Sequence, residues 1–96
     1  MTSPNRVWIV DDDRSIRWVL EKALDQASIQ TSCFSSAEAM LKQLQHDAPD
    51  VIISDIRMPG IDGLTLLSRI SADHPEVPVI ITTAHSDLDK IGRAHV

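Results

Sequence analysis

Residues 7–17, VWIVDDDRSIR, set four apolar residues directly against three consecutive aspartates. Val7, Trp8, Ile9 and Val10 lack the polar alternation of a half-solvated strand. They read as a short strand, Arg6 to Val10, buried on both faces as in a parallel sheet. From Arg14 the period changes. Ile16, Val19, Leu20, Ala23, Leu24 and Ala27 recur at three- and four-residue spacing, which predicts a helix with one apolar face. Asp13 or Ser15 is placed to cap its start.

The same theme returns along the chain. Ile29 to Phe34 predicts a second strand, less apolar and therefore nearer a sheet edge. In SSAEAMLKQLQ, Ser35 with Glu38 fits a capping box, and Ala37, Met40, Leu41 and Leu44 form a second helical stripe. VIISD, residues 51–55, is again an apolar strand ending in aspartate. The loop IRMPGIDG leads to a third helix through Leu64, Leu66, Leu67 and Ile70. HPEVP makes a turn, Val77 to Thr83 reads as a fourth strand, and Ser86 and Asp89 mark the start of a fourth helix. Strands alternating with helices over short loops predict an α/β fold with a parallel sheet and helices on both faces.

Bulk properties narrow the function. The chain has 96 residues, 43% of them hydrophobic, enough for one small packed domain. Its net charge of −5 gives no general attraction to nucleic acid or anionic lipid, so direct nucleic-acid binding by this segment is not expected. The single cysteine, Cys33, excludes an internal disulfide and is read as a small hydrophobe. No apolar run spans a bilayer, and MTSPNR lacks the apolar core of a secretory signal. A cytoplasmic location is expected. His46, His74, His85 and His95 have no metal-ligand spacing. Trp8 and Trp18 read as packing or partner-facing residues. The first helix, with Arg14, Arg17 and Trp18, offers either a docking surface or a solvated face.

In an open parallel sheet, ligands sit beyond the carboxyl ends of the strands. Asp11 and Asp12 end the first strand, Asp55 the third, and Thr82 and Thr83 the fourth. Neighbouring strands would gather these carboxylates and a hydroxyl at one rim. The repulsion between the carboxylates is most simply relieved by a hard divalent cation such as Mg²⁺. A metal beside a carboxylate nucleophile also suits phosphoryl transfer. Taken singly, the triplet is also explained by helix capping, and Asp55 by an ordinary turn.

VWIVDDD, SDIRMPGIDGL and VPVIITTAHSD together resemble the signature segments of a receiver domain, the phosphoacceptor module of bacterial two-component systems. IRWVLEKAL, SDIRMPGIDGL and TAHSDLD more narrowly resemble the receiver of the NtrC-type nitrogen-regulation response regulators. The resemblance implies a CheY-like (flavodoxin-like) doubly wound parallel sheet. It implies Asp55 as the phosphorylated residue, Asp11 and Asp12 as the acidic pair holding Mg²⁺, and Asp13 as the helix cap. The backbone carbonyl of Arg57 would be a further metal ligand, and Thr83 the switch hydroxyl. Met58, Pro59 and Gly63 would shape the loop after Asp55. Implied partners are a sensor histidine kinase and, in a full-length protein, an ATPase output domain and a DNA-binding domain. Such a protein is a signalling module and not an enzyme.

WIVDDDRS also fits the Asp-x-Asp-x-Ser nucleophile motif of haloacid-dehalogenase-like phosphohydrolases, with Asp11 as nucleophile and Asp13 as acid. That reading leaves DIRMPGIDG unexplained. A third reading is an interaction module that accepts no phosphoryl group.

The family's fifth strand carries a Lys-Pro pair and an aromatic switch residue, and neither has a counterpart here. KIGRAHV departs from the NtrC-like pattern. IGRAHV can be encoded as ATC GGA AGA GCA CAC GTC, which resembles a widely used sequencing-library adapter. The expectation is a truncated receiver over residues 1–89, lacking the fifth strand and last helix, with a non-native tail over 90–96. An apolar fourth strand left at an edge would make such a product marginally stable.

Overall fold

The computed structural model describes residues 6–82. Four strands, β1 (Arg6–Val10), β2 (Gln30–Phe34), β3 (Val51–Asp55) and β4 (Val79–Thr82), alternate with α1 (Arg14–Gln26), α2 (Ala37–Leu44) and α3 (Gly63–Asp73). The expected fourth helix and Thr83 lie outside the described residues.

The strands form one parallel sheet in the order β2-β1-β3-β4. Trp8 is opposite Ser32 on one side and Ile52 on the other; Asp55 is opposite Thr82. β1 and β3 hold the centre because their apolar runs tolerate burial on both faces. β2, with QTSCF, takes the edge that its composition predicted.

Side chains alternate along each strand, which sorts the two faces. Trp8, Val10 and Ile52 pack with Ala37, Met40 and Leu44 of α2 and with Leu66 and Ile70 of α3. Trp8 stands against Phe34 with ring centroids 5.2 Å apart, tilted rather than stacked. Val7 and Ile9 face the other way and are buried on the side of α1, which lies along β1 and β2.

Four local expectations change. The apolar face of α1 is not buried as a whole. Leu20 and Leu24 are half-buried toward the sheet, whereas Ile16 is 43% and Val19 55% exposed. The stripe is wider than the strip of sheet beneath the helix. α2 is capped by Ser36, whose Oγ accepts from the Ala39 amide at 3.2 Å. The helix therefore starts at Ala37, one residue later than the Ser35–Glu38 box requires, and Glu38 points elsewhere. β4 begins at Val79, not Val77. Pro78 has no amide to pair, and its carbonyl accepts from Ile52 before the ladder starts. Leu64 also departs from its stripe and is 54% exposed, whereas Leu66 and Ile70 carry the buried face of α3.

Candidate functional site

The site lies at the carboxyl ends of β1 and β3, which the sheet order makes neighbours. Asp11 leaves β1 almost fully buried, at 4% exposure. Its amide still donates to Phe34 O at 3.2 Å, so the backbone is held to β2 one residue past the strand. Asp11 Oδ1 accepts from the Asp13 amide at 2.8 Å. The Arg17 guanidinium donates to the Asp11 carbonyl at 2.6 Å, a charge-assisted bond that ties the turn to α1.

The three aspartates divide their work. Asp13 caps α1, its Oδ1 accepting from the Ser15 amide at 2.8 Å and the Ile16 amide at 3.3 Å. Its carboxylate is thus used at the helix start, where the N–H groups need acceptors. Asp12 is exposed, and Asp11 is directed into the rim. Across the crevice, Asp55 is half-buried, and its Oδ1 accepts from the Ile56 amide at 2.8 Å. That amide also donates to Thr82 O at 3.0 Å, which fixes the exit of β3 against β4.

Asp11, Asp12 and Asp55 each offer a carboxylate oxygen within 4.8 Å of the others. Three carboxylates so close repel one another. Burial pushes the Asp11 carboxyl above the ordinary range, and the hydrogen bond from the Asp13 amide pulls it part of the way back. The charges of Asp55, Asp12 and Asp13 add to the upward shift. An all-oxygen donor set of this kind fits a hard divalent cation, Mg²⁺ or Ca²⁺, and not a thiolate- or imidazole-seeking metal.

Arg57 lies two residues past Asp55 with its side chain exposed. Met58 is buried in the core beside α2 and α3, which anchors the loop at its middle. Gly63 closes the loop: its amide donates to Ile56 O at 3.0 Å. A Cβ at Gly63 would stand 2.1 Å from the Asp55 carbonyl oxygen, so only glycine lets α3 begin this close to the site.

Two features escaped the reading of the sequence. Ser54 is fully buried one residue before Asp55, and its hydroxyl donates to the Asp55 carbonyl at 2.9 Å. Thr82 Oγ1 in turn donates to Ser54 O at 3.3 Å. Serine within an apolar strand was the available signal. The bond from Arg17 had no signal in the sequence, where that residue suggested a docking surface or a solvated face.

The family described as response regulator receiver domain matches residues 7–95. The chain is 60% identical over 82 residues to the DNA-binding transcriptional regulator NtrC of Klebsiella pneumoniae, a match covering 85% of this chain and 18% of that protein. It thus spans about a fifth of the length of that relative. Among solved structures, the BeF3-activated receiver domain of Nitrogen Regulatory Protein C superposes with a TM-score of 0.74 at 53% identity, covering 99% of this chain and 76% of that one. The response regulator TrrA of Thermotoga maritima, solved in complex with Mg²⁺-BeF, has a TM-score of 0.81 at 31% identity, covering 86% of this chain and 72% of that one.

Proposed function

Because the chain belongs to the response regulator receiver domain family, we propose that it accepts a phosphoryl group on Asp55 from a sensor histidine kinase. The observation that carries this reading is the meeting of Asp11, Asp12 and Asp55 at one rim. Asp55 is the carboxylate at the end of β3. The hydrogen bond that its Oδ1 accepts from the Ile56 amide helps to orient it. A carboxylate oxygen of Asp55 attacks the phosphorus of a phosphohistidine. The new O–P bond forms as the P–N bond breaks, and the imidazole leaves with the electron pair. The product is an acyl phosphate.

Asp11 and Asp12, with Asp55 and the backbone carbonyl of Arg57, are the groups that would hold Mg²⁺. When bound, that ion neutralises the carboxylates and the incoming phosphoryl oxygens. The hydroxyl of Thr83, outside the described residues, is assigned the switch role. The match to an NtrC protein supports a cytoplasmic regulator of nitrogen-assimilation genes, acting in full-length form with an ATPase output domain and a DNA-binding domain. In this reading the chain receives a signal and turns over no metabolite.

The capping role of Asp13 counts against the phosphohydrolase reading, which needs that carboxyl as a free acid. The test is labelling by radioactive acetyl phosphate with Mg²⁺. The wild-type chain takes up label and Asp55→Asn does not. Label that persists in Asp55→Asn would move the nucleophile to Asp11. An unlabelled wild type would leave an interaction module.

A further inference from the structure

The loop between β3 and α3 is held from a direction that the site itself does not supply. Its neck is closed by the Gly63–Ile56 hydrogen bond, and its inner side by Met58, buried in the core, and by Ile61, packed against it. Its outer turn meets α2. Glu38, in the first turn of that helix, accepts from the Ile61 amide through Oε2 at 3.3 Å. The same oxygen lies 2.6 Å from where a Cβ on Gly60 would stand, and Gly60 has a φ of 77°. Gly60 therefore serves the turn twice, by adopting a left-handed conformation and by leaving room for the carboxylate.

We propose that Glu38 is a positioning residue for phosphoryl acceptance, acting through the loop that follows Asp55. By accepting from Ile61 it fixes the outer half of the loop against α2. The segment from Ile56 to Ile61 is then tied at both ends, and Arg57 lies within it. The placement of the Arg57 carbonyl relative to Asp11, Asp12 and Asp55 depends on that tie. Glu38 touches no reacting atom. Its link to the loop joins segments far apart in sequence and belongs to no element of the sheet.

This inference rests on the reading above, in which the three aspartates and the Arg57 carbonyl hold Mg²⁺. The test is a MgCl₂ titration of the ¹⁵N-labelled chain, following the Asp12 and Ile56 amides by NMR. Glu38→Ala should raise the half-saturating Mg²⁺ concentration about three- to tenfold, the range that loss of one hydrogen bond supports. Glu38→Gln keeps an acceptor and should titrate within about twofold of wild type by the same reasoning. Urea midpoints on the same samples separate placement from folding. A purely structural role lowers the Glu38→Ala midpoint without moving its Mg²⁺ half-saturation, and that result would overturn the inference. So would a Glu38→Gln protein as weak as Glu38→Ala, since charge and not the hydrogen bond would then matter. A wild type that shows no Mg²⁺ response defeats the metal reading and the inference with it. A wild type that responds beside an unchanged Glu38→Ala defeats the inference alone.

Discussion

Replacing Gly63 with alanine sets two opposing effects against each other, and the sign of the outcome tells which wins. Gly63 opens α3, and an alanine near a helix start is ordinarily favourable over glycine by up to about 1 kcal/mol. If the site had room, Gly63→Ala would stabilise the chain. The geometry says otherwise. The new Cβ would lie 2.1 Å from the Asp55 carbonyl oxygen, 2.8 Å from Ile56 Cα and 3.0 Å from the Asp55 carbonyl carbon. All three are backbone atoms, so no side chain can swing away. Bringing the closest contact to 3.0 Å, the lower edge of what real Cβ atoms show, requires a move of 0.9 Å, the difference between the two distances. Either α3 lifts from β3, opening the contacts of Leu66 and Ile70, or the Asp55 carbonyl turns and loses its bond from Ser54. Overpacking of this kind costs about 1–3 kcal/mol, and backbone against backbone belongs at the upper end. After the helix gain is subtracted, the net loss is about 2 kcal/mol. With a urea slope of about 1 kcal/mol/M for a domain this small, the midpoint should fall by roughly 2 M. Mg²⁺-dependent labelling should fall as well, because the displaced atoms belong to Asp55. An unchanged or raised urea midpoint would refute the packing argument.

Two further outcomes follow from the charges and the caps. The Asp11 carboxyl is held above its ordinary range, first by burial, then against the opposing Asp13 hydrogen bond by the charges of Asp55, Asp12 and Asp13. The folded chain therefore keeps a proton that the unfolded chain has released, and metal-free stability should fall as pH rises from the ordinary carboxylate value through the raised one. Mg²⁺ needs the ionised form, so its affinity should rise over the same window; urea midpoints with chelator and with excess Mg²⁺, on wild type and Asp11→Asn, check both, and an Asp11→Asn profile parallel to wild type would refute the assignment. Asp62 and Asp47 are lowered by hydrogen bonds from Thr65 and Arg6, so their stabilisation is lost only below the ordinary carboxylate range and does not mask the effect. At the start of α2, Ser36→Ala should cost about 1 kcal/mol in urea unfolding and Ser35→Ala less than about 0.5 kcal/mol, and the reverse order would restore the earlier capping box.

Particular residues show how far the sequence could be read. β1 and β3 fall where expected because each is an apolar run with a charged end, and charge at a buried strand's tip has few places to go. The start of α2 slipped by one because Ser35 and Ser36 are equally able to cap. Only the chain path chooses between them, and it gives Ser36 the extended backbone of a cap. The buried face of α1 is narrower than its apolar stripe, because a helix stripe reports which residues can be buried, not how much sheet lies beneath. Glu38 to Ile61 and Arg17 to the Asp11 carbonyl could not be read at all, since each depends on tertiary distance rather than periodicity.

The cluster itself depends on topology more than on composition. After β1 the chain places β2 on one side, then crosses over and places β3 on the other. That reversal leaves a crevice beyond the carboxyl ends of β1 and β3. Asp11 and Asp12 reach it from one strand and Asp55 from the next. Had β3 been added outside β2, the same sequence motifs would have ended two strands apart, and strands lie about 4.8 Å from one another. Asp55 would then lack both the neighbours that repel it and a shared cation to relieve them. The acidic triplet supplies the charge, but the order β2-β1-β3-β4 makes it a site. Substitutions that loosen the β1–β3 pairing should therefore weaken Mg²⁺ binding even where every carboxylate is kept.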